Sequence, residues 1–245
     1  MATFVLVHGA FHGAWCWFKL VPELERRGHA AIALDLPGAG ADPKPVEAVT
    51  PDDYVERIVD VVLAQSEPVY LVAHSLGGVS ATAAAERIPQ CLRRLIYLSA
   101  LIPRNGDTFT DIRTYPGYPE NPGPPHFEYS DDRRYLTVLP DLARPRWYND
   151  CAENDIAYAL SRCTPLPTAV LNAPVRVTSE NFGSVPKSYI HASLDHAVVP
   201  ALQETMAEVA GCQPNYTLPT GHSSFLAAPE KLADILSQCV AEPAG

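Results

Sequence analysis

Nowhere does this chain string together the roughly 18 apolar residues that a membrane-spanning helix needs. Apolar residues still make up 47% of it, so they are left to build a globular core. Basic residues are scarce: 18 Lys and Arg stand against 28 Asp and Glu, for a net charge of −10. They form no basic patch, so neither nucleic acid nor a membrane is an expected partner. No C-x-x-C pair occurs among Cys16, Cys91, Cys151, Cys163, Cys212 and Cys239. A chain of 245 residues with this much apolar content needs no disulfide framework, so reduced, mostly buried thiols are expected. Met1–His8 lacks the basic start and long apolar run of a leader and reads as a first strand, which makes the cytoplasm the expected location. Internal repeats are absent from the sequence.

What is present is an alternation of β-rich runs and helical patterns. Phe4–Val7, Ala30–Leu34, Val69–Val72 and Leu95–Leu98 are predicted strands. Between them, Trp15–Arg27 reads as a helix ended by Gly28, and Val79–Ile88 as another. Thr50-Pro51-Asp52-Asp53 supplies an N-cap, a proline at the first helical position and an acid three residues after the cap. Tyr54, Ile58, Val61, Val62 and Gln65 follow it at helical spacing. Buried strands separated by helices predict an α/β fold: a mostly parallel six-stranded sheet with helices on both faces. The rhythm breaks after residue 102. Six prolines fall between Pro103 and Pro125, which excludes regular helix and central strand. Seven aromatics follow between Tyr115 and Tyr148, and Asp150–Cys163 reads as a short helix. One domain is expected, with a core of 1–102 and 186–245 and a cap inserted at about 103–185. The sheet resumes at Ser188–Ala192, followed by helices at Pro200–Ala210 and Pro229–Cys239 and a strand near Asn215–Leu218.

One short stretch points to chemistry. Val-Tyr-Leu-Val-Ala-His-Ser-Leu-Gly-Gly at 69–78 is a strand, a sharp turn and a helix start, with Ser75 at the apex. The pattern is G-x-S-x-G with Ala73 in the first place, where a small residue is needed because strand and helix cross closely. A serine hydroxyl needs a base, and the base needs an orienting acid. In open α/β sheets such groups gather beyond the carboxyl ends of strands. Asp195 ends the strand Tyr-Ile-His-Ala, and His222 follows the last strand after Gly221. The order Ser75, Asp195, His222 suits this fold. His8, His12, His74, His191 and His196 lack that combination of strand end, glycine neighbour and order. The competing acids are Asp107, seven residues past Ala100, and Asp35, which reads as turn chemistry beside Pro37 and Gly38. The backbone N–H of Leu76 and that of Ala10, in the turn His8–Gly13, are the candidate oxyanion-hole donors.

These residues resemble the α/β-hydrolase superfamily. More closely, they are similar to the branch holding plant methylesterases of the salicylate-binding type, hydroxynitrile lyases and related bacterial esterases. The resemblance rests on Phe-Val-Leu-Val-His-Gly-Ala-Phe-His-Gly-Ala-Trp at 4–15, Gly-His-Ala-Ala-Ile-Ala-Leu-Asp-Leu at 28–36 and Ala-His-Ser-Leu-Gly-Gly at 73–78. Phe-Gly-Ser-Val-Pro-Lys-Ser-Tyr-Ile at 182–190 and Gly-His-Ser-Ser-Phe-Leu-Ala-Ala-Pro-Glu-Lys-Leu at 221–232 extend it. It implies a serine carboxylesterase without cofactor or metal, acting on a small ester, methyl or aryl. It also implies a homodimer. The lyases of the branch carry a Lys after the catalytic His, where Ser223 stands here, and tend to carry a Thr at the place of Ala10. Both departures favour ester hydrolysis. The bacterial members often keep the Trp-Tyr-Asn-Asp run found at 147–150. The alternatives are a carbon–carbon lyase or cofactor-independent dioxygenase on the same scaffold, and a non-catalytic binder of small molecules.

Overall fold

The computed structural model describes residues 1–241; the last four residues of the expected core segment 186–245 lie outside the described residues. Its centre is a six-stranded sheet. In chain order the strands are β1 (Thr3–Val7), β2 (Ala30–Leu34), β3 (Val69–His74) and β4 (Leu92–Leu98), then, after the insertion, β8 (Lys187–Ala192) and β9 (Asn215–Leu218). The spatial order is β2-β1-β3-β4-β8-β9, and every adjacent pair is parallel. Each residue of β3 is buried, as a central strand covered on both faces must be. The edge strands β2 and β9 each begin on an exposed residue.

The helices follow local signals. Trp15–Arg27 divides into a short 3₁₀ turn, Ala14–Trp17, and α1 (Leu20–Arg26). Pro22 accounts for the break: it lacks an N–H and is tolerated in a first helical turn but not in a helix interior. Gly28 then takes φ +78°, the left-handed conformation that closes a helix. In α2 (Pro51–Leu63), Asp53 N–H donates to Thr50 Oγ1 at 3.3 Å and Thr50 N–H to Asp53 Oδ2 at 2.7 Å, a reciprocal cap. α3 (Gly77–Arg87) packs against α2 and against β3.

Segment 103–185 leaves the sheet after β4 and returns to the adjacent β8. It contains a second, three-stranded antiparallel sheet that sequence patterning does not reveal: β5 (Phe127–Tyr129), β6 (Tyr135–Val138) and β7 (Leu166–Pro167). It also holds α4 (Pro140–Trp147), with Pro145 inside it, and α5 (Glu153–Leu160). The chain closes with α6 (Pro200–Val209), a one-turn α7 (Ser224–Ala227) and α8 (Pro229–Ala241), which packs on α1. Among the described residues, no helix is long and apolar enough to cross a membrane.

Candidate active site

Three loops meet beyond the carboxyl ends of β3, β8 and β9. Ser75 follows β3 with φ +51°, a conformation that costs a non-glycine residue about 1–3 kcal/mol and persists only where its surroundings enforce it. They do so here. Ser75 N–H donates to Leu98 C=O, and Ser75 C=O accepts from Gly78 and Leu101 N–H groups. The glycines let the backbones close in. A Cβ on Gly9 would stand 2.8 Å from Ser75 Cβ, one on Gly77 2.4 Å from His8 O, and one on Gly78 2.4 Å from Leu101 O.

The hydroxyl of Ser75 donates to His222 Nε2 at 3.0 Å, and His222 Nδ1–H donates to Asp195 Oδ2 at 2.7 Å. Asp195 and His222 are buried, while Ser75 is half-buried and lines the cavity. The structure thus brings together the three side chains singled out from the sequence. Asp107 instead accepts the Tyr115 hydroxyl, and Asp35 binds the Ala14 and Ala41 N–H groups as a turn acid. Ala10 and Leu76 both line the same cavity as Ser75, and among the described residues their N–H groups donate to no protein acceptor.

The other histidines near Ser75 are held neutral. His12, buried beside the site, has its pKa lowered to about 3, chiefly by burial. Burial also lowers His8 and His74, and the neighbouring His222 lowers His74 further. Their protons are assigned by their partners. His8 Nδ1 faces Gly9 C=O at 2.8 Å while Nε2 accepts from Leu36 N–H at 3.1 Å. His74 Nε2 bonds His222 C=O at 3.1 Å, and His12 Nδ1 bonds Ala10 C=O at 2.7 Å. His196 is exposed and bonds Pro145 C=O, and His191 is half-buried within β8.

Several supporting residues are given no role by their spacing, although Tyr148, Asn149 and Asp150 fall in the Trp-Tyr-Asn-Asp run at 147–150. Gln203 on α6 is fully buried and touches the acid loop four times. Its Nε2 donates to Asp195 Oδ2 (3.3 Å), Val198 C=O (2.6 Å) and Ala192 C=O (3.1 Å), and its Oε1 accepts from Ala192 N–H (3.0 Å). The other carboxylate oxygen, Asp195 Oδ1, accepts from Ala197 and Val198 N–H groups at 2.7 and 3.0 Å. Tyr148, just after α4, donates its hydroxyl to His12 Nε2 at 2.8 Å. Burial holds that phenol well above its usual pKa, so it remains a donor. Asn149 Nδ2 donates to Leu194 C=O at 3.0 Å, and Asp150 Oδ2 accepts Gly221 N–H at 2.6 Å. These partners are set by tertiary folding, so spacing along the chain does not announce them.

Ser75 opens on a cavity of about 810 Å³ whose other walls come largely from segment 103–185. Phe109, Ile112, Leu136, Trp147 and Leu171 make it apolar, Arg113 and Arg146 stand in its lining, and among the described residues no carboxylate does. Phe11 holds φ +63° and stacks on Trp147 at 5.3 Å between centroids, which joins the turn after β1 to the insertion. Among the described residues, no group of three or more His, Cys, Asp or Glu could hold a metal ion.

Comparison with known proteins gives a consistent picture. The profile of the alpha/beta hydrolase family matches residues 4–235. An alpha-hydroxynitrile lyase from Arabidopsis thaliana is 32% identical over 247 residues, covering 96% of this chain and 95% of that protein. Salicylic acid-binding protein 2 from Nicotiana tabacum is 32% identical over 255 residues, covering 94% and 93% respectively. The crystal structure of polyneuridine aldehyde esterase superposes with a TM-score of 0.88 at 26% identity, covering 98% of this chain and 99% of that one.

Proposed function

This chain belongs to the alpha/beta hydrolase family, and from that premise we propose that it is a serine carboxylesterase acting through Ser75, His222 and Asp195. Ser75 Oγ attacks the ester carbonyl while His222 Nε2 takes its proton. The tetrahedral oxyanion is held by the N–H groups of Leu76 and Ala10. His222 then protonates the leaving alcohol. Water activated by the same imidazole attacks the acyl-enzyme and releases the acid. Asp195 fixes the imidazole tautomer with its proton on Nδ1 and stabilises the charged form. The one observation that carries this reading is the unbroken hydrogen-bonded file from Ser75 to His222 to Asp195, 3.0 and 2.7 Å, at the floor of the cavity. The apolar walls suit a compact, apolar or aryl acyl group, with a small alcohol such as methanol leaving. The name of the solved esterase, and those of methylesterase 18 and methylesterase 10 from Arabidopsis thaliana among the relatives, point the same way.

The lyase relative makes a carbon–carbon lyase the competing reading. Against it stands Ser223, the residue after His222, which is fully buried and uncharged. The branch's lyases are expected to carry a lysine there.

The deciding experiment compares the chain with its Ser75→Ala variant on a set of aryl and alkyl methyl esters, alongside fluorophosphonate labelling. Loss of about 10³-fold or more in kcat, with the label on Ser75 alone, is expected. Retention of most activity by the variant would point to chemistry run by the His–Asp pair. No label and no turnover would point to a non-catalytic binder.

A further inference from the structure

Three consecutive residues, Tyr148, Asn149 and Asp150, each grip a different loop of the site. They sit in a turn closed by Cys151 N–H on Tyr148 C=O at 3.1 Å, immediately after α4. Tyr148 reaches His12 (2.8 Å), which in turn bonds the carbonyl of Ala10 (2.7 Å). Asn149 bonds the carbonyl of Leu194, the residue before Asp195 (3.0 Å). Asp150 takes the N–H of Gly221, the residue before His222 (2.6 Å). The fit at the last loop is close: a Cβ on Gly221 would stand 2.1 Å from Asn149 Oδ1 and 2.6 Å from Asp150 Oδ1. The acid and base loops also share a backbone bond, Leu194 N–H to Thr220 C=O, at 2.9 Å. The turn therefore ties the pair they form to the turn after β1, from which Ala10 comes.

We infer that Tyr148, Asn149 and Asp150 form one clip of positioning residues that sets the distance between the oxyanion turn, the acid loop and the base loop. This rests on reading Ser75, His222, Asp195 and the Ala10 amide as the reacting set. None of the three clip residues touches the reacting atoms in this role. They act through Ala10, Leu194 and Gly221, each of which is either a reacting group or its neighbour in the chain. Because Trp147, adjacent in the chain, lines the cavity, the clip also joins the wall that an acyl group meets to the groups that act on it.

The test uses Tyr148→Phe, Asn149→Ala, Asp150→Ala and Asp150→Asn, with p-nitrophenyl acetate as substrate. A displacement near 1 Å costs up to about 10²-fold in rate, so each of the first three is expected to lower kcat by about 10- to 100-fold with KM within about twofold. Fluorophosphonate titration and melting temperature should stay close to the parent. Asp150→Asn should recover most of the rate, because an amide oxygen can accept the same Gly221 N–H. The downfield proton resonance of His222 Nδ1–H gives a readout independent of turnover; it should shift or broaden in Asp150→Ala and not in Asp150→Asn. Parent-level kcat in all three disruptive variants would overturn the inference. So would a rate loss that only follows the fraction of titratable protein. If the parent itself neither turns over nor labels, the esterase reading fails, and an unmoved His222 resonance in Asp150→Ala would still overturn the clip.

Discussion

Gln203→Leu removes an amide while nearly keeping its volume, and the structure sets the cost. Ala192 lies past Leu98↔Ile190, the last β4–β8 pair, so its N–H has no strand partner on that side and turns to Gln203 Oε1 instead. Val198 C=O, just before α6, turns to Gln203 Nε2 at 2.6 Å. Leucine offers neither donor nor acceptor, so both of these groups lose their partner in a fully buried pocket, while Ala192 C=O keeps the Asp195 N–H at 3.3 Å. Each orphaned group costs about 1–3 kcal/mol, or about 2–6 kcal/mol together. A chain of this size loses about 2–4 °C of melting temperature per kcal/mol, so a fall of about 4–24 °C is expected by calorimetry. Asp195 loses one of its donors as well, and kcat should fall about tenfold with the looser acid loop. Gln203→Glu sharpens the test. Its carboxylate would face Asp195 Oδ2 and two carbonyls, so the new carboxyl should have a raised pKa. A carboxyl with a raised folded pKa binds its proton more tightly in the native state, so stability falls as pH rises through the unfolded value. Relative to the parent, this variant should therefore be less stable at pH 8 than at pH 5. A melting temperature within 2 °C and kcat within twofold for Gln203→Leu would refute the reasoning.

Two glycines should lose very different amounts of stability on substitution by alanine. At Gly77 the new Cβ would meet His8 O at 2.4 Å, so α3 must shift off the turn after β1, and loss of soluble protein or several kcal/mol is expected in urea titration. At Gly28 nothing lies within 4 Å, and the cost is the left-handed φ alone, about 1 kcal/mol; equal effects at the two sites would contradict the packing. Acidification should destabilise the fold well above the carboxylate range. His8, His12 and His74 are buried and neutral, with pKa values below the unfolded value near 6.5 and, for His12, about 3. The unfolded chain binds the extra protons, so their contribution is complete above about pH 6.5 and is lost as pH falls toward each folded pKa, by about 1.4 kcal/mol per unit for each group. A urea midpoint that stays flat between pH 7 and pH 5 would exclude this.

The elements legible in the sequence are those whose causes are local. Thr50 and Asp53 announce the start of α2, Gly28 the end of α1, and alternating apolar runs the six core strands, with β9 placed to the residue. The convergence of Ser75, Asp195 and His222 was legible because each follows a strand, and strand order in a parallel sheet dictates which ends converge. The second sheet was not legible, because β5, β6 and β7 are two to four residues long and gain their pairing from distant partners. α4 was hidden by Pro145, which reads as a breaker. Gln203 is an ordinary polar residue in sequence and only its burial gives it a role, while Asn149 falls in the run at 147–150, whose spacing does not say which loops it reaches.

The parallel pairing of β4 with β8 fixes where the long excursion between them starts and stops. Leu98 and Ile190 are register partners, so the departing and returning strands lie about 5 Å apart. A polymer segment whose two ends are fixed on neighbouring parallel strands, one at the carboxyl end of β4 and the other at the amino end of β8, can change length or be exchanged at small entropic cost, without re-registering any strand of the platform below. Different roofs can therefore be grafted onto this base to suit new molecules, provided each graft brings its own contacts to the loops beneath.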